Sequence, residues 1–263
     1  MTSRLRVASY NVNGIRARLP LLLSWLEETG PEVVCLQETK VQDRDFPDPA
    51  LEKLGYSCLY RGEKGFNGVA VLSQEPAKLL RFGLDDTGPP DEARLVLVRL
   101  SGFSLLNTYV PQGTVPDSDR FRYKLDWLGR IRRFLERHFT PDEPLVWVGD
   151  FNVAPEKRDV YDPEGLLGSI GFHPEEHRAL DEVRQWGFVD LFRLHVDAER
   201  QYTFWDYRIR NALARRMGWR VDHIWGTEPM AQRSRGAWID VGLRRAEKPS
   251  DHAPIGVVFE MDG

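Results

Sequence analysis

The sequence predicts an α/β protein made of two packed sheets flanked by helices. Short β-rich runs alternate with helical patterns along the chain. One succession, strand then polar Gly-containing loop then helix then strand, occurs twice. Several further β-rich runs follow one another without long helices between them, which fits antiparallel pairing. With 263 residues, 41% of them hydrophobic, the chain can bury one sizeable core. No linker or low-complexity tract divides it, so a single domain over 1–263 is expected.

Residues 6–10 (RVASY) read as a strand, 19–28 (LPLLLSWLEE) as an apolar-rich helix and 32–37 (EVVCLQ) as a buried strand bounded by Pro31. Glu38 follows at once. The second succession has a strand over 103–110 (FSLLNTYV) and a helix over 119–139, with Phe121, Leu125, Leu128, Leu135 and Phe139 at near-helical spacing. A strand over 144–149 (PLVWVG) completes it. Asp150 follows at once. The two halves would place Glu38 and Asp150 on one rim, although α/β chains alternate this way by default and the parallel alone carries little weight. Further strands are expected over 69–73, 93–100, 202–205, 220–226, 238–243 and 254–259, with a Pro/Gly/Asp loop over 83–93.

The net charge of −4 argues against a generally polybasic nucleic-acid binder but leaves room for a local basic face. The two cysteines, Cys35 and Cys58, each lie in an apolar stretch and read as small buried hydrophobes rather than a disulfide or metal framework, which favours a reducing compartment. The N-terminus has no long apolar segment, and no run of about 18 apolar residues occurs. A soluble, cytoplasmic protein with no membrane partner is expected.

Polar residues collect just beyond the strand ends: Asn11, Asn13, Glu38, Tyr109, Asp150, Asn152, Asp222, Asp251 and His252. Singly each has a bland reading, since Asn13-Gly14 suits a turn and an Asp at a strand end is usually solvated or capping. Together, carboxylates and amides without a Cys-His arrangement suit a hard cation such as Mg²⁺ or Mn²⁺ rather than Zn²⁺. Such sites process phosphate esters, because a metal neutralises charge that phosphate carries throughout its transfer.

The stretches SYNVNGIRAR, LQETKVQD, TYVPQG, VGDFNVAP, YTFWDYR, GWRVDHI and EKPSDHAP, in that order from residue 9 to residue 254, resemble the successive motifs of the exonuclease III family of AP endonucleases. The resemblance implies a four-layer α/β/β/α sandwich with two mixed sheets. It implies that Glu38, Asn11 and Asp251 hold a Mg²⁺ ion, with Mn²⁺ an alternative, and that Asn13 and Lys40 support them. Asp150 and Asn152 would activate and aim the attacking water, Tyr109 would contact the scissile phosphate, and Asp222 with His252 would form an acid-histidine pair beside it. The implied activity is incision of duplex DNA 5′ to abasic sites, with 3′-to-5′ exonuclease and 3′-end-cleaning activities. The alternatives are a general DNase or other phosphodiesterase of the same fold, or a non-catalytic damage-binding protein.

Phe204 and Trp219 match positions that line a small pocket for a flipped-out, base-less deoxyribose; for Trp205 beside them a core role is expected. Arg208, Arg210, Arg215, Arg216 and Arg220 form a basic stretch able to grip DNA phosphates. Lys64, Gln112 and Gly113 lie in loops that the resemblance brings near DNA. The expected partner is double-stranded DNA with abasic sites or blocked 3′ ends, bound by a monomer. His138, His173, His177, His195 and His223 match no catalytic motif. A Ser250-Asp251-His252 triad is excluded, because consecutive side chains of an extended segment point to opposite sides.

Overall fold

Two six-stranded sheets stack face to face, with helices on both outer faces, in a computed structural model that describes residues 3–89 and 92–261. Pro90 and Asp91, in the expected 83–93 loop, lie outside the described residues, as do residues 1–2 and 262–263. In chain order the strands are β1 (Ser3–Asn11), β2 (Val33–Gln37), β3 (Ser57–Arg61), β4 (Val69–Ser73), β5 (Lys78–Phe82), β6 (Leu95–Leu100), β7 (Phe103–Tyr109), β8 (Leu145–Asp150), β9 (Phe188–Asp190), β10 (Asp222–Thr227), β11 (Ser234–Ile239) and β12 (Ile255–Met261). The helices are α1 (Ile15–Thr29), α2 (Asp48–Glu52), α3 (Asp119–His138), α4 (Pro174–Arg184) and α5 (Glu228–Ala231).

The first sheet runs β11-β12-β1-β2-β4-β3 and the second β5-β6-β7-β8-β10-β9. The duplicated succession is structural: β1-α1-β2 and β7-α3-β8 each deliver a central parallel pair, and antiparallel strands flank both pairs. Val7, Val33, Cys35, Val71, Val98, Val146, Val148, Ile224 and Val257 fill the space between the sheets. The opposite faces of the same strands pack on helices: Tyr10, Val34, Leu36 and Leu72 against α1, and Leu106, Leu145 and Trp147 against α3 and α4. Strands buried on both faces read as near-continuous apolar runs, which is why EVVCLQ and PLVWVG lack alternation.

Two expectations fail in detail. Residues 202–205 form no strand; Phe204 makes isolated bridges to Trp219 and His252, because the segment crosses the sheet end rather than joining an edge. The strand expected over 238–243 instead ends at Ile239, after which Asp240 caps a turn into a single 3₁₀ turn at Leu243–Arg245. Cys35 is buried and Cys58 half-buried, and both are free thiols. Among the described residues no helix is long and apolar enough to cross a membrane.

Candidate active site

At one end of the sandwich the central strands of both sheets stop together. Tyr109 of β7, Asp150 of β8 and Asp222 of β10 are cross-strand neighbours in a single row. In the facing sheet Asn11 and Gln37 end β1 and β2 side by side, and Glu38 is the next residue. The two rows are joined by the Asn11 amide, whose Nδ2 donates to Glu38 Oε1 at 2.7 Å and to Asp150 Oδ2 at 2.8 Å. A β-sheet register thus brings residues 139 positions apart to one point.

Backbone conformation finishes the aim. Asn13, Glu38, Lys40 and Asn152 all have φ between 45° and 55°, the left-handed region that non-glycine residues seldom enter. Such clustering of unfavourable conformers is characteristic of sites where side-chain direction matters more than local stability. Gly149 permits the close approach of β7 and β8, since a Cβ there would lie 1.9 Å from the Thr108 carbonyl oxygen. It thereby sets the spacing of Tyr109 from Asp150.

Charge is distributed in a chain. Lys40 pairs with Glu38 Oε2 at 2.7 Å and hydrogen-bonds Asn13 Oδ1, while Asn13 Nδ2 donates to Asp251 Oδ1 at 2.9 Å. Asp251 therefore connects to Glu38 through Asn13 and Lys40. Burial would raise the Glu38 pKa, but Lys40 and Asn11 outweigh it and hold the carboxyl below its usual range. Asp150 accepts from the Asn152 backbone N–H at 2.8 Å, and the Asn152 amide donates to the Val110 carbonyl at 2.9 Å. Burial, then the charge of Asp222, pushes the Asp150 pKa well up.

His252 is the cationic counterpart. Its Nδ1 lies 2.7 Å from Asp222 Oδ2 and its Nε2 lies 3.9 Å from Asp150 Oδ2. Burial opposes protonation, but the charge and hydrogen bond of Asp222, followed by Asp150, outweigh it and raise the pKa. The Tyr109 phenol stays protonated, because burial and the charges of Glu38 and Asp150 raise its pKa. Ligand atoms of Glu38, Asp150 and His252 lie within 4.8 Å of one another. An imidazolium has no free lone pair on a protonated nitrogen, so the donors left for a cation are carboxylate and amide oxygens, a hard set that fits Mg²⁺ or Mn²⁺.

Asn13, Glu38, Lys40, Tyr109, Asn152, Asp251 and His252 line a cleft of about 860 Å³, and Asn11, Asp150 and Asp222 lie buried just behind them. One wall is apolar and is made by Tyr161, Leu166, Ile170, Phe204, Trp219 and Val221. The Phe204 ring lies 4.9 Å from the His252 ring, so the apolar wall begins where the polar floor ends. Trp205, in contrast, is buried against Tyr202 and Ala253.

The expected DNA contacts separate into groups. Arg210, Arg215, Arg216 and Lys64 are exposed, and Gln112 is exposed on the cleft rim. Arg208 is exposed too, but Asp206 binds its guanidinium at 2.7 Å. Gly113 is buried, with φ +96°, against Lys124 and Phe121, and shapes its loop from beneath. Arg220 is a correction. It is fully buried, paired with Asp159 at 2.8 Å and Asp190 at 2.8 Å, and its Nη1 meets His223 Nδ1 at 3.0 Å. Its place two residues before Asp222 puts it inside the sheet end, out of reach of a phosphate backbone.

Sequence reasoning passes over Arg94, whose guanidinium carbon lies 4.7 Å from the Tyr109 ring centroid and whose Nη1 donates to the Tyr109 carbonyl at 3.3 Å. Its one signal is a charge opening the apolar run ARLVLV. Lys124 and Glu176 are passed over as well. This fully buried pair also ties down the Asn152 carbonyl at 2.8 Å, the Gln112 carbonyl at 3.2 Å and the Gly171 N–H at 2.7 Å.

The chain is similar to known proteins over nearly its whole length. Residues 8–252 match the Endonuclease/Exonuclease/phosphatase family. The chain is 32% identical to an exodeoxyribonuclease III from Haemophilus influenzae, over 97% of this chain and 100% of that protein. It is similar to the structure of an AP endonuclease from Archaeoglobus fulgidus, with a TM-score of 0.94 and 42% identity over 98% of this chain and 100% of that one. It is also similar to a variant of the 3′ phosphatase NExo from Neisseria bound to a product DNA hairpin, with a TM-score of 0.93 and 31% identity over 98% and 100% of the two chains.

Proposed function

The chain belongs to the Endonuclease/Exonuclease/phosphatase family, and from that premise we propose that it is a DNA-repair phosphodiesterase that incises duplex DNA 5′ to abasic sites. With this go 3′-to-5′ exonuclease and 3′-end-cleaning activities, in keeping with relatives named as an exodeoxyribonuclease III, an AP endonuclease and a 3′ phosphatase. The protein acts as a cytoplasmic monomer on double-stranded DNA carrying abasic sites or blocked 3′ ends. The observation that carries the reading is the junction itself: a base, Asp150, buried 3.9 Å from an acid, His252, that lines a cleft with one apolar wall.

Asp150 takes the proton of the attacking water, a task suited to a carboxyl whose pKa has been pushed toward the working pH. Asn152, fixed by its bond to the Val110 carbonyl, orients that water in line with the 3′ oxygen that leaves. His252, held as the imidazolium by Asp222, and Tyr109, held as the phenol, donate to the phosphoryl oxygens as charge develops there. A divalent cation, Mg²⁺ or Mn²⁺, would be held by Glu38 with Asn11 and Asp251, supported by Asn13 and Lys40, and would neutralise phosphoryl charge and stabilise the leaving alkoxide. Phe204 and Trp219 receive the base-less sugar; a narrow apolar wall selects by excluding a base.

The test is cleavage of a duplex carrying one tetrahydrofuran abasic analogue beside an intact duplex, each with Mg²⁺ or with EDTA. Internal incision 5′ to the analogue in the first alone, and with metal alone, is expected, apart from any trimming at the 3′ ends of either duplex. Equal internal incision of both duplexes would turn the reading into a general DNase, and binding without cutting in metal into a damage-binding protein.

A further inference from the structure

Beside the reactive floor, three segments distant in sequence converge on Tyr207. Arg18 of α1 donates from Nη2 to the Tyr207 hydroxyl at 3.2 Å and to the Pro249 carbonyl at 3.5 Å. The Tyr207 hydroxyl donates in turn to the same Pro249 carbonyl. Arg244 lies over the Tyr207 ring at 5.1 Å, and its Nη2 donates to the Trp205 carbonyl at 3.3 Å. Both guanidiniums bury Nε without a hydrogen-bond partner, yet both side chains keep part of their surface open.

Charge balance distinguishes this cluster from Arg208 and Arg220, and anchoring by three segments distinguishes it from the exposed Arg210, Arg215 and Arg216. Arg208 is neutralised by Asp206 and Arg220 by Asp159 and Asp190. Arg18 and Arg244 form no ion pair with a carboxylate among the described residues. A protein of net charge −4 thus fixes two cations without an ion-pair partner around one half-exposed phenol that lines the cleft, with Asp251 the carboxylate whose charge also reaches that phenol. Holding like charges together without a counter-ion costs free energy in the free protein, and a bound anion removes that cost. Pro249, which anchors the cluster, is two residues from Asp251, about 7 Å along an extended chain.

We propose that Arg18, Tyr207 and Arg244 form a phosphate-binding lip that grips a backbone phosphodiester of the DNA one or two nucleotides from the scissile one. The lip rests on the function proposed above and extends it: it assigns a second anion subsite, and it moves part of the DNA grip from the arginines of residues 208–220 to residues that converge from α1 and the 3₁₀ turn. The planar guanidinium fork suits phosphate oxygens, and the Tyr207 ring holds one fork flat.

Binding of a tetrahydrofuran-containing duplex in EDTA, followed by fluorescence anisotropy over a salt series, tests it. For Arg18→Gln/Arg244→Gln the affinity at low salt falls about tenfold, and the slope of log K against log salt loses about one unit, the value for one phosphate contact. An unchanged slope overturns the lip. Should the double variant fail to fold, the wild-type protein supplies the second measurement: modification of Arg18 and Arg244 by butanedione, read by mass spectrometry, slows when the duplex is bound. Equal modification with and without duplex also overturns the proposal. Wild-type protein that binds but does not cut would sink the proposed activity and leave the lip standing; an unchanged slope in protein that cuts would sink the lip alone.

Discussion

Asp150 is the residue on which chemistry and stability pull in opposite directions. Burial makes its negative charge costly, and the same burial makes it an effective proton acceptor. Asp150→Asn keeps the shape and removes the proton acceptor, at the cost of one of the two hydrogen bonds that its oxygens accept from the Asn152 N–H and Asn11 Nδ2. Turnover on an abasic duplex is expected to fall at least about a thousandfold, toward the upper part of the range for loss of a general base and its charge, with binding in EDTA kept within a few-fold. Parallel loss of binding and turnover would take Asp150 out of the proton-accepting role. His223, by contrast, serves the fold. Its Nε2 donates to the Val153 carbonyl at 2.9 Å and its Nδ1 accepts from Arg220, so the neutral tautomer is fixed. Burial, then the Arg220 charge, lowers its pKa from 6.5 to about 4. Below 6.5 the unfolded chain takes up a proton that the folded chain refuses, so stability falls as pH drops from 6.5 to about 4 and this loss is complete below that. The size is about 3 kcal/mol. Urea unfolding of His223→Gln across this window should lose most of that slope; an identical slope would assign the acid sensitivity elsewhere.

At the scale of elements, α3 and α4 are held together through Lys124 and Glu176 rather than by apolar contact alone. The pair also fixes the loops that carry Asn152 and Gln112. Lys124→Met leaves a buried, unpaired Glu176 and should destabilise by about 3–5 kcal/mol, whereas Lys124→Met with Glu176→Leu should recover a large part of the loss. Denaturant midpoints of the single and double variants decide between this and simple additivity. The central strands are legible in the sequence because both faces of each are buried, which produces uninterrupted apolar runs at β2 and β8. Edge strands are harder to read. β3 and β5 are largely exposed or half-exposed, so SCLYR and KLLRF carry little periodic signal. The 202–205 segment shows the opposite error: YTFW has the composition of a strand, but its aromatics serve the cleft wall and the core beneath it. Among the site residues, those at strand ends can be read from position. Arg220 cannot, because nothing local distinguishes an arginine that meets a buried carboxylate from one that meets solvent.

For the molecule as a whole, the sandwich has one shared core. Residues of both sheets interdigitate between the layers, so neither sheet can lose its inner face without exposing the other. Unfolding should be a single cooperative transition. Trp25 lies on the outer face of the first sheet and Trp147 and Trp225 on that of the second, so fluorescence samples both layers. Its transition in denaturant should coincide with that of far-UV circular dichroism, and two separated transitions would show that the sheets fold independently.

The way the first sheet is closed has a meaning for the site. β12 pairs with β1 from Ser3↔Met261 to Ser9↔Ile255, and His252 stands just before that last strand. The first sheet therefore closes through its longest chain excursion, a pairing of very high sequence separation. Ile255, Val257 and Phe259 of β12 belong to the core between the sheets, so the segment that carries His252 is anchored by the same packing that holds Glu38 and Asp150 together. The site is complete only when β12 is docked on β1, so the same pairing that closes the first sheet also delivers the histidine on which the nuclease chemistry depends.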